Sequence, residues 1–382
     1  MTRATIFILV ITAILSVYVL ANYYIYIRGL QALRPTGAFR LLYAAAFVFL
    51  VLSYVASVFL ERADIIFLGR PLSWIGSFWL AAFVYLLFIV VAIDLLRGVN
   101  HFVSFFPVFI TSNPLRAPRL IAIGAVTIVA SALIGGFINA HCIRVRTLDI
   151  SIAKKAGGRK TLNIAMASDI HLSSIIGRSR IENIVEKLNS LSPDVILLPG
   201  DIVDGDLNPV VNQNLGESLR KLRASLGVYA VTGNHEYIGG VERACEYITE
   251  HGVKLLRDSV VLVDGSFYIV GREDRSARQR KSLPDLVKDV DRRLPIILMD
   301  HQPFHLEEAQ ENGIDFQISG HTHHGQMWPF NYITDMVYEL AYGYLVKGSA
   351  HIYVSSGVGT WGPPIRIAAD PEIVNVRLRF IQ

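Results

Sequence analysis

DVILLPGDIVDGD, residues 194–206, sets a short apolar run directly before a Gly-Asp pair, with a second aspartate three positions on. A brief apolar run bounded by turn signals reads as a strand, and Gly200 permits a tight turn after it. Asp201 and Asp204 then stand at the C-terminal end of that strand, where α/β folds usually place their chemistry. The arrangement recurs on both sides. TLNIAMASDIH (161–171) ends in Asp169 and His171, and GVYAVTGNHE (227–236) in Asn234 and His235. PIILMDHQP (295–303) carries His301, and DFQISGHTHHG (315–325) carries His321 and His323.

The intervening sequence fits the same reading. RTLDISIA (146–153) alternates apolar and polar residues, and the Gly-Gly of KKAGGRK (154–160) turns the chain into the next strand. SVVLV (259–263), FYIVG (267–271), HIYVSSG (351–357) and EIVNVRL (372–378) read as further strands. RIENIVEKLNSL (180–191) and VERACEYITEHG (241–252) space apolar residues by three and four, as helices do. Residues 146–382 are therefore expected to form one mixed α/β domain.

The first 145 residues differ in kind. The chain is 52% hydrophobic, too apolar for an average soluble domain, and the excess lies in four stretches without Asp, Glu, Lys or Arg: 4–27, 41–60, 71–93 and 120–143. Twenty helical residues rise about 30 Å, enough to cross a hydrocarbon core. Four transmembrane helices are expected. A fifth run, 99–110, is short, carries Asn100, His101 and Pro107, and reads as an interfacial segment. The long run after MTR is read as an uncleaved first span rather than a signal peptide.

Splitting the charge removes a nucleic-acid reading. Through Val145 the chain has ten Arg, no Lys and three acids, whereas the remainder has 26 Lys and Arg against 29 Asp and Glu. The basicity is a set of arginine collars facing headgroups, not a groove that tracks phosphates. Arg28, Arg34, Arg40, Arg97, Arg116 and Arg119 fall in the loops joining helices one to two and three to four; Arg3, Arg62 and Arg70 fall on the other side. That bias favours a multi-pass protein of the plasma (inner) membrane with the α/β domain extracytoplasmic, while Arg144, Arg146, Lys154 and Lys155, close after the fourth helix, weigh the other way. Cys142 and Cys245 form neither a disulfide framework nor a CxxC pattern and are read as packing residues.

Each polar cluster alone is ordinary turn chemistry. Together, five clusters at strand ends assemble Asp, Asn and His donors without cysteine, a set suited to Mn, Fe, Zn or Mg rather than to a sulfur-rich zinc site. Glycines before Asp201, Asn234 and His321 are read as allowing the tight turns that bring the donors together.

The order D-x-H, GD-x-x-D, GNHE, H, GH-x-H resembles that of the calcineurin-like metallophosphoesterases over residues 160–382. The closing SSGVGTWGPPIRIAADPEI (355–373) is similar to the membrane-anchored YkuE/YaeI-like branch and to transmembrane relatives with a metallophosphoesterase domain. The resemblance implies a two-sheet β-sandwich flanked by helices, holding two divalent metal ions. By position, Asp169, His171, Asp201 and His323 would bind the first metal, and Asp201, Asn234, His301 and His321 the second, with Asp201 shared. His235 would face the phosphoryl group, and Asp204 would orient it. His324 would stay outside: in extended backbone His321 and His323 share a face and His324 points away.

The implied reaction is hydrolysis of a phosphoester or pyrophosphate, with a metal-bridging water losing its proton and attacking in line. Gly205 and Asp206 follow Asp204 where protein Ser/Thr phosphatases of the superfamily carry arginine, which disfavours a phosphoprotein substrate. The aromatic-rich WPFNYITDMVYELAYGYLV (328–346) reads either as a core-covering loop or as an apolar wall for a lipid-linked substrate. Arg366 is assigned equally to a structural salt bridge or to substrate phosphate. Two other functions fit the sequence: a phosphodiesterase for soluble nucleotides that uses the helices as a tether, and a membrane sensor or transporter regulated by the phosphoesterase domain.

Overall fold

The computed structural model describes residues 3–381, and the chain divides into two compact units, Met1–Gly135 and Gly136–Gln382. In the first, long uninterrupted apolar sequence becomes long helices. These are α1 (Arg3–Leu33), α2 (Gly37–Arg62), α3 (Ile66–Val103), the four-residue α4 (Val108–Thr111) and α5 (Arg116–His141), whose last residues belong to the second unit. All but α4 are long and apolar enough to cross a membrane. The fifth apolar run is shared between the end of α3 and α4, with Ser104 in left-handed backbone between them. Small residues bring α2 and α3 together: Ser53, Ser57, Ser73, Gly76 and Ser77 are buried. A Cβ on Gly76 would sit 2.3 Å from the Tyr54 backbone nitrogen. Such close approach is how helices gain packing where lipid removes the hydrophobic drive.

The second unit is built on two six-stranded sheets. Its strands are β1 (Arg144–Ile152), β2 (Thr161–Met166), β3 (Val195–Pro199), β4 (Val228–Val231), β5 (Lys254–Leu255), β6 (Ser259–Val263), β7 (Phe267–Gly271), β8 (Ile296–Met299), β9 (Phe316–Ser319), β10 (Gly343–Lys347), β11 (Ala350–Val354) and β12 (Glu372–Phe380). One sheet runs β1-β12-β2-β3-β4-β5 and the other β10-β11-β9-β8-β7-β6. β2 to β5 are mutually parallel, as are β7, β8, β9 and β11.

Alternation along each strand builds three apolar layers. Val195 and Leu197 of β3 meet Ile297 and Met299 of β8 between the sheets. Ile196 and Leu198 point the other way, into a layer shared with α6 (Arg178–Ser190) and α10 (Val241–Glu250). Between those helices lie α7 (Asn208–Asn212), α8 (Gly216–Leu219) and α9 (Asn234–Gly239); α11 (Leu283–Val287) and α12 (Glu307–Glu311) cover the second sheet. The unit is thus the expected two-sheet sandwich flanked by helices. Both faces of β3 and β8 are covered, which is why VILLP and IILM are continuously apolar.

The structure adds two edge strands, narrows one open reading and changes one expectation. β5 and β10 carry no clear alternation in the sequence and form at sheet edges. Residues 330–337 fold as α13 (Phe330–Val337), a helix without a buried residue, so that stretch does not cover the core. Cys245 is buried as expected, but Cys142 is exposed and does not pack.

Candidate metal centre

The five polar clusters meet where the C-terminal ends of β2, β3 and β4 approach those of β8 and β9. Backbone hydrogen bonds align them. Asp169 N–H donates to Gly200 O at 3.1 Å and His171 N–H to Asp201 O at 3.0 Å, locking the loop after β2 to the loop after β3. Gly320 N–H donates to His301 O at 3.0 Å, doing the same for β8 and β9. The sheets are joined across the site by His301 Nδ1 on Pro199 O at 2.8 Å and by His321 N–H on the Asp169 carboxylate at 2.9 Å.

Asp169, His171, Asp201, His321 and His323 all adopt positive φ, between 48° and 71°. Left-handed backbone is uncommon for non-glycine residues, although Asp and His enter it more readily than most, and its concentration here marks a site where strain is held by surrounding structure. It also corrects the extended-backbone reading of His321 to His324. His323–Gly325 is a 3-10 turn and His324 has φ 45°, so left-handed turns rather than strand alternation aim His321 and His323 inward. His324 lies outside, stacked on Tyr342 with Nε2 3.5 Å from Asp335.

Glycine's role shifts too. Gly200 has φ +91°, as a tight turn requires. Gly233 and Gly320 do not need positive φ; they leave room. A Cβ on Gly233 would lie 2.1 Å from Asp201 Oδ1, and one on Gly320 2.2 Å from Asp169 Oδ2.

The side chains gather in two sets whose donor atoms lie within 4.8 Å of one another: Asp169, His171 and His323, and Asp201, His301 and His321. Asn234 Oδ1 is 2.8 Å from His321 Nδ1, joining the second set. Asp201 Oδ1 accepts the His235 N–H at 2.9 Å, while Oδ2 faces His301 Nε2 at 3.1 Å and His171 Nε2 at 3.8 Å. His171, Asp204 and His235 form a third set, with Asp204 Oδ1 2.7 Å from His235 Nδ1.

These residues fit divalent cations. His301 commits Nδ1 to a backbone carbonyl, which directs its Nε2 into the site. That nitrogen is shielded from solvent, makes no directed hydrogen bond among the described residues, and stops beside a carboxylate oxygen. Burial opposes a charged His301, yet Asp201 and Asp169 push it well above its usual value. Burial and His301 lower His321 to about 4, and burial, His171 and Arg366 hold His323 well below its usual value. Positive charge is wanted beside Asp201, and neutral imidazole lone pairs are offered around it.

Two residues here were not assigned from sequence. Glu236 accepts N–H bonds from Gly233 at 2.7 Å, Val203 at 2.9 Å and Asp201 at 3.2 Å, stapling the loop after β3 to the loop after β4. Burial and the Asp201 charge nevertheless push its carboxyl up to about 7. Its place three residues after Gly233, at a helix start, matches the glutamate half of a capping box, the other half being closed to a glycine. Arg366, left between two roles, is fully buried. It donates to Ser356 O at 2.6 Å and to Gly359 O at 2.5 Å, with Nη2 3.2 Å from His323 Nδ1. It holds the closing loop against His323 and does not reach out to substrate.

The calcineurin-like phosphoesterase profile matches residues 162–325. An uncharacterized metallophosphoesterase of Helicobacter pylori (strain J99) is 35% identical over 225 residues, covering 57% of this chain and 60% of that protein. The Danio rerio transmembrane protein with metallophosphoesterase domain is 32% identical, covering 67% of this chain and 62% of that protein. The match thus spans about 60% of the length of these relatives. An uncharacterized metallophosphoesterase of Aquifex aeolicus is 31% identical over 65% of this chain and is itself covered over 97% of its length. The chain belongs to the calcineurin-like metallophosphoesterases.

Proposed function

We propose that the chain is a membrane-anchored, metal-dependent hydrolase of a phosphoester or pyrophosphate bond on a lipid-linked substrate. Residues 1–145 anchor it and residues 146–382 carry the chemistry. On this reading Asp169, His171, Asp201 and His323 would hold one divalent cation, and Asp201, Asn234, His301 and His321 the other, with Asp201 common to both sets. Cations bound there would supply Lewis-acid polarisation of the phosphoryl oxygens and a more acidic water. His235 supplies the proton for the leaving oxygen, and Asp204 fixes its ring by accepting from Nδ1. Arg366 and Glu236 keep the loops in register. The arginine bias of the helix-joining loops supports an extracytoplasmic hydrolytic domain, on the reading that the anchor lies in the plasma (inner) membrane.

The lipid element rests on one observation: the rim of the site is apolar and exposed. The Trp361 ring lies 5.9 Å from His235 and is 57% exposed. Gln326 holds the Trp361 backbone, accepting its N–H at 2.9 Å and donating to its carbonyl at 2.9 Å. Just beyond the His323 turn, α13 presents Tyr332, Ile333, Val337 and Met336, the last 78% exposed. Apolar residues concentrated beside a charged pocket suit a substrate with a polar head on a greasy body.

The test is metal analysis together with hydrolysis of a lipid phosphoester by the full chain in detergent. Wild type should bind divalent metal and turn over, Asp201→Ala should lose both, and His235→Ala should keep metal and lose rate. Undiminished hydrolysis by Asp201→Ala refutes the assignment.

A further inference from the structure

In the helical unit a cavity of about 480 Å³ lies between the ends of α1 and α3 and the beginnings of α2 and α5. Its walls are apolar, with Phe47, Val90, Ile121 and Val126 among them. The lining runs from Asp94 back to Trp79, about 22 Å along α3 at 1.5 Å per residue. Charge is confined to one end. There Asp94 meets Arg28 at 2.6 Å and Arg97 at 3.3 Å and accepts the Tyr24 hydroxyl.

Two guanidinium groups share one carboxylate, so that end keeps one positive charge in excess. Arg28 lies over the Tyr24 ring, and its Nε, turned away from solvent, has no hydrogen-bond partner among the described residues. An isolated ion pair would need no second arginine and no channel behind it. A cationic mouth on a long apolar cleft matches an amphiphile with an anionic head and a hydrocarbon tail.

We propose that this cavity binds an anionic membrane lipid, its phosphate beside the Arg28–Asp94–Arg97 cluster and its tail along the walls formed by α2, α3 and α5. In a bilayer the tail exchanges one apolar neighbour for another, so the walls provide fit and the arginines provide selectivity for the head. No residue of the second unit takes part, so the site stands independently of the hydrolytic reading.

The test uses the full chain in a neutral detergent, with native mass spectrometry and thermal unfolding as readouts. Phosphatidylglycerol should be retained and raise the Tm. Phosphatidylcholine with the same acyl chains should bind about tenfold more weakly, and free glycerol 3-phosphate should give no shift. Arg97→Gln should weaken phosphatidylglycerol binding about tenfold. Ala122→Trp should abolish it by filling the cleft while both arginines remain. Arg119→Gln, altering an arginine outside the cavity lining, should leave it unchanged. Equal binding of the two lipids overturns the proposal, as does a response to glycerol 3-phosphate matching that to the lipid. Undiminished binding by both Arg97→Gln and Ala122→Trp overturns it too.

Discussion

The Asp204 carboxylate sits 2.7 Å from His235 Nδ1, and the same oxygen is 3.4 Å from His171 Nδ1. Burial alone would raise the Asp204 pKa, but the bonds from His171 and His235 hold it down to about 2. The group therefore stays an ionised acceptor that fixes the His235 tautomer. Asp204→Asn should keep the fold but offer an amide where a charge stood. Turnover should fall by about 10²-fold or more, while bound metal, read by elemental analysis, changes little. Metal loss in step with rate would make Asp204 a ligand support instead.

Gly320 tests the close approach at Asp169. A methyl group there would lie 2.2 Å from Asp169 Oδ2 and 2.7 Å from both Cβ and Oγ of Ser168, two fully buried side chains. Gly320→Ala should reduce metal affinity by about 10- to 100-fold, the range expected when a ligand is displaced from its support. Competition with a chelator reads this directly, and wild-type affinity would show that the loop can yield.

Glu236 tests the loop staple. Replacing it with alanine leaves three buried N–H groups without their acceptor, each worth about 1–3 kcal/mol when unsatisfied. Glu236→Ala should therefore lose about 3 kcal/mol or more, and Glu236→Gln, which keeps one acceptor oxygen, should lose less. Chemical denaturation monitored for the second unit distinguishes them; equal, small losses would mean water replaces the carboxylate.

The apolar rim should matter only for greasy substrates. Trp328→Ala combined with Met336→Ala removes two side chains exposed by 51% and 78%, so stability should change by less than about 0.5 kcal/mol. Turnover of a lipid phosphoester should fall several-fold, and that of a small soluble ester should not. Equal loss on both substrates would sink the lipid reading.

The two thiols should separate cleanly. Burial pushes Cys245 up to about 12, whereas Cys142 is exposed. A maleimide reagent near pH 8 should label one thiol per folded chain and both after denaturation. Peptide mapping that finds Cys245 modified in the native protein would contradict its burial.

Much of the architecture was legible because periodicity and punctuation survive in one dimension. VILLP and IILM could be read as strands, and RIENIVEKLNSL as a helix, from local spacing alone. Charge-free runs of twenty or more residues announced the membrane helices by length. The edge strands β5 and β10 were not legible, since two residues and a weakly patterned five carry little signal and pair only because a neighbouring edge is open. The helix at 330–337 was missed because aromatic density suggests burial, whereas these side chains face outward.

For the candidate site, sequence alone supplied the proposed inventory and its order: Asp169, His171, Asp201, Asp204, Asn234, His235, His301, His321 and His323, gathered after apolar runs. Tertiary structure decided how they meet. Left-handed turns at Asp169, Asp201 and His321, the missing methyl groups of Gly233 and Gly320, and a histidine reaching across to Pro199 depend on two sheets being packed face to face. Arg366 shows the difference most plainly. Its sequence allowed a substrate contact, but full burial behind His323 made it part of the frame, because a guanidinium shut away from solvent and held by the Ser356 and Gly359 carbonyls cannot reach a phosphate.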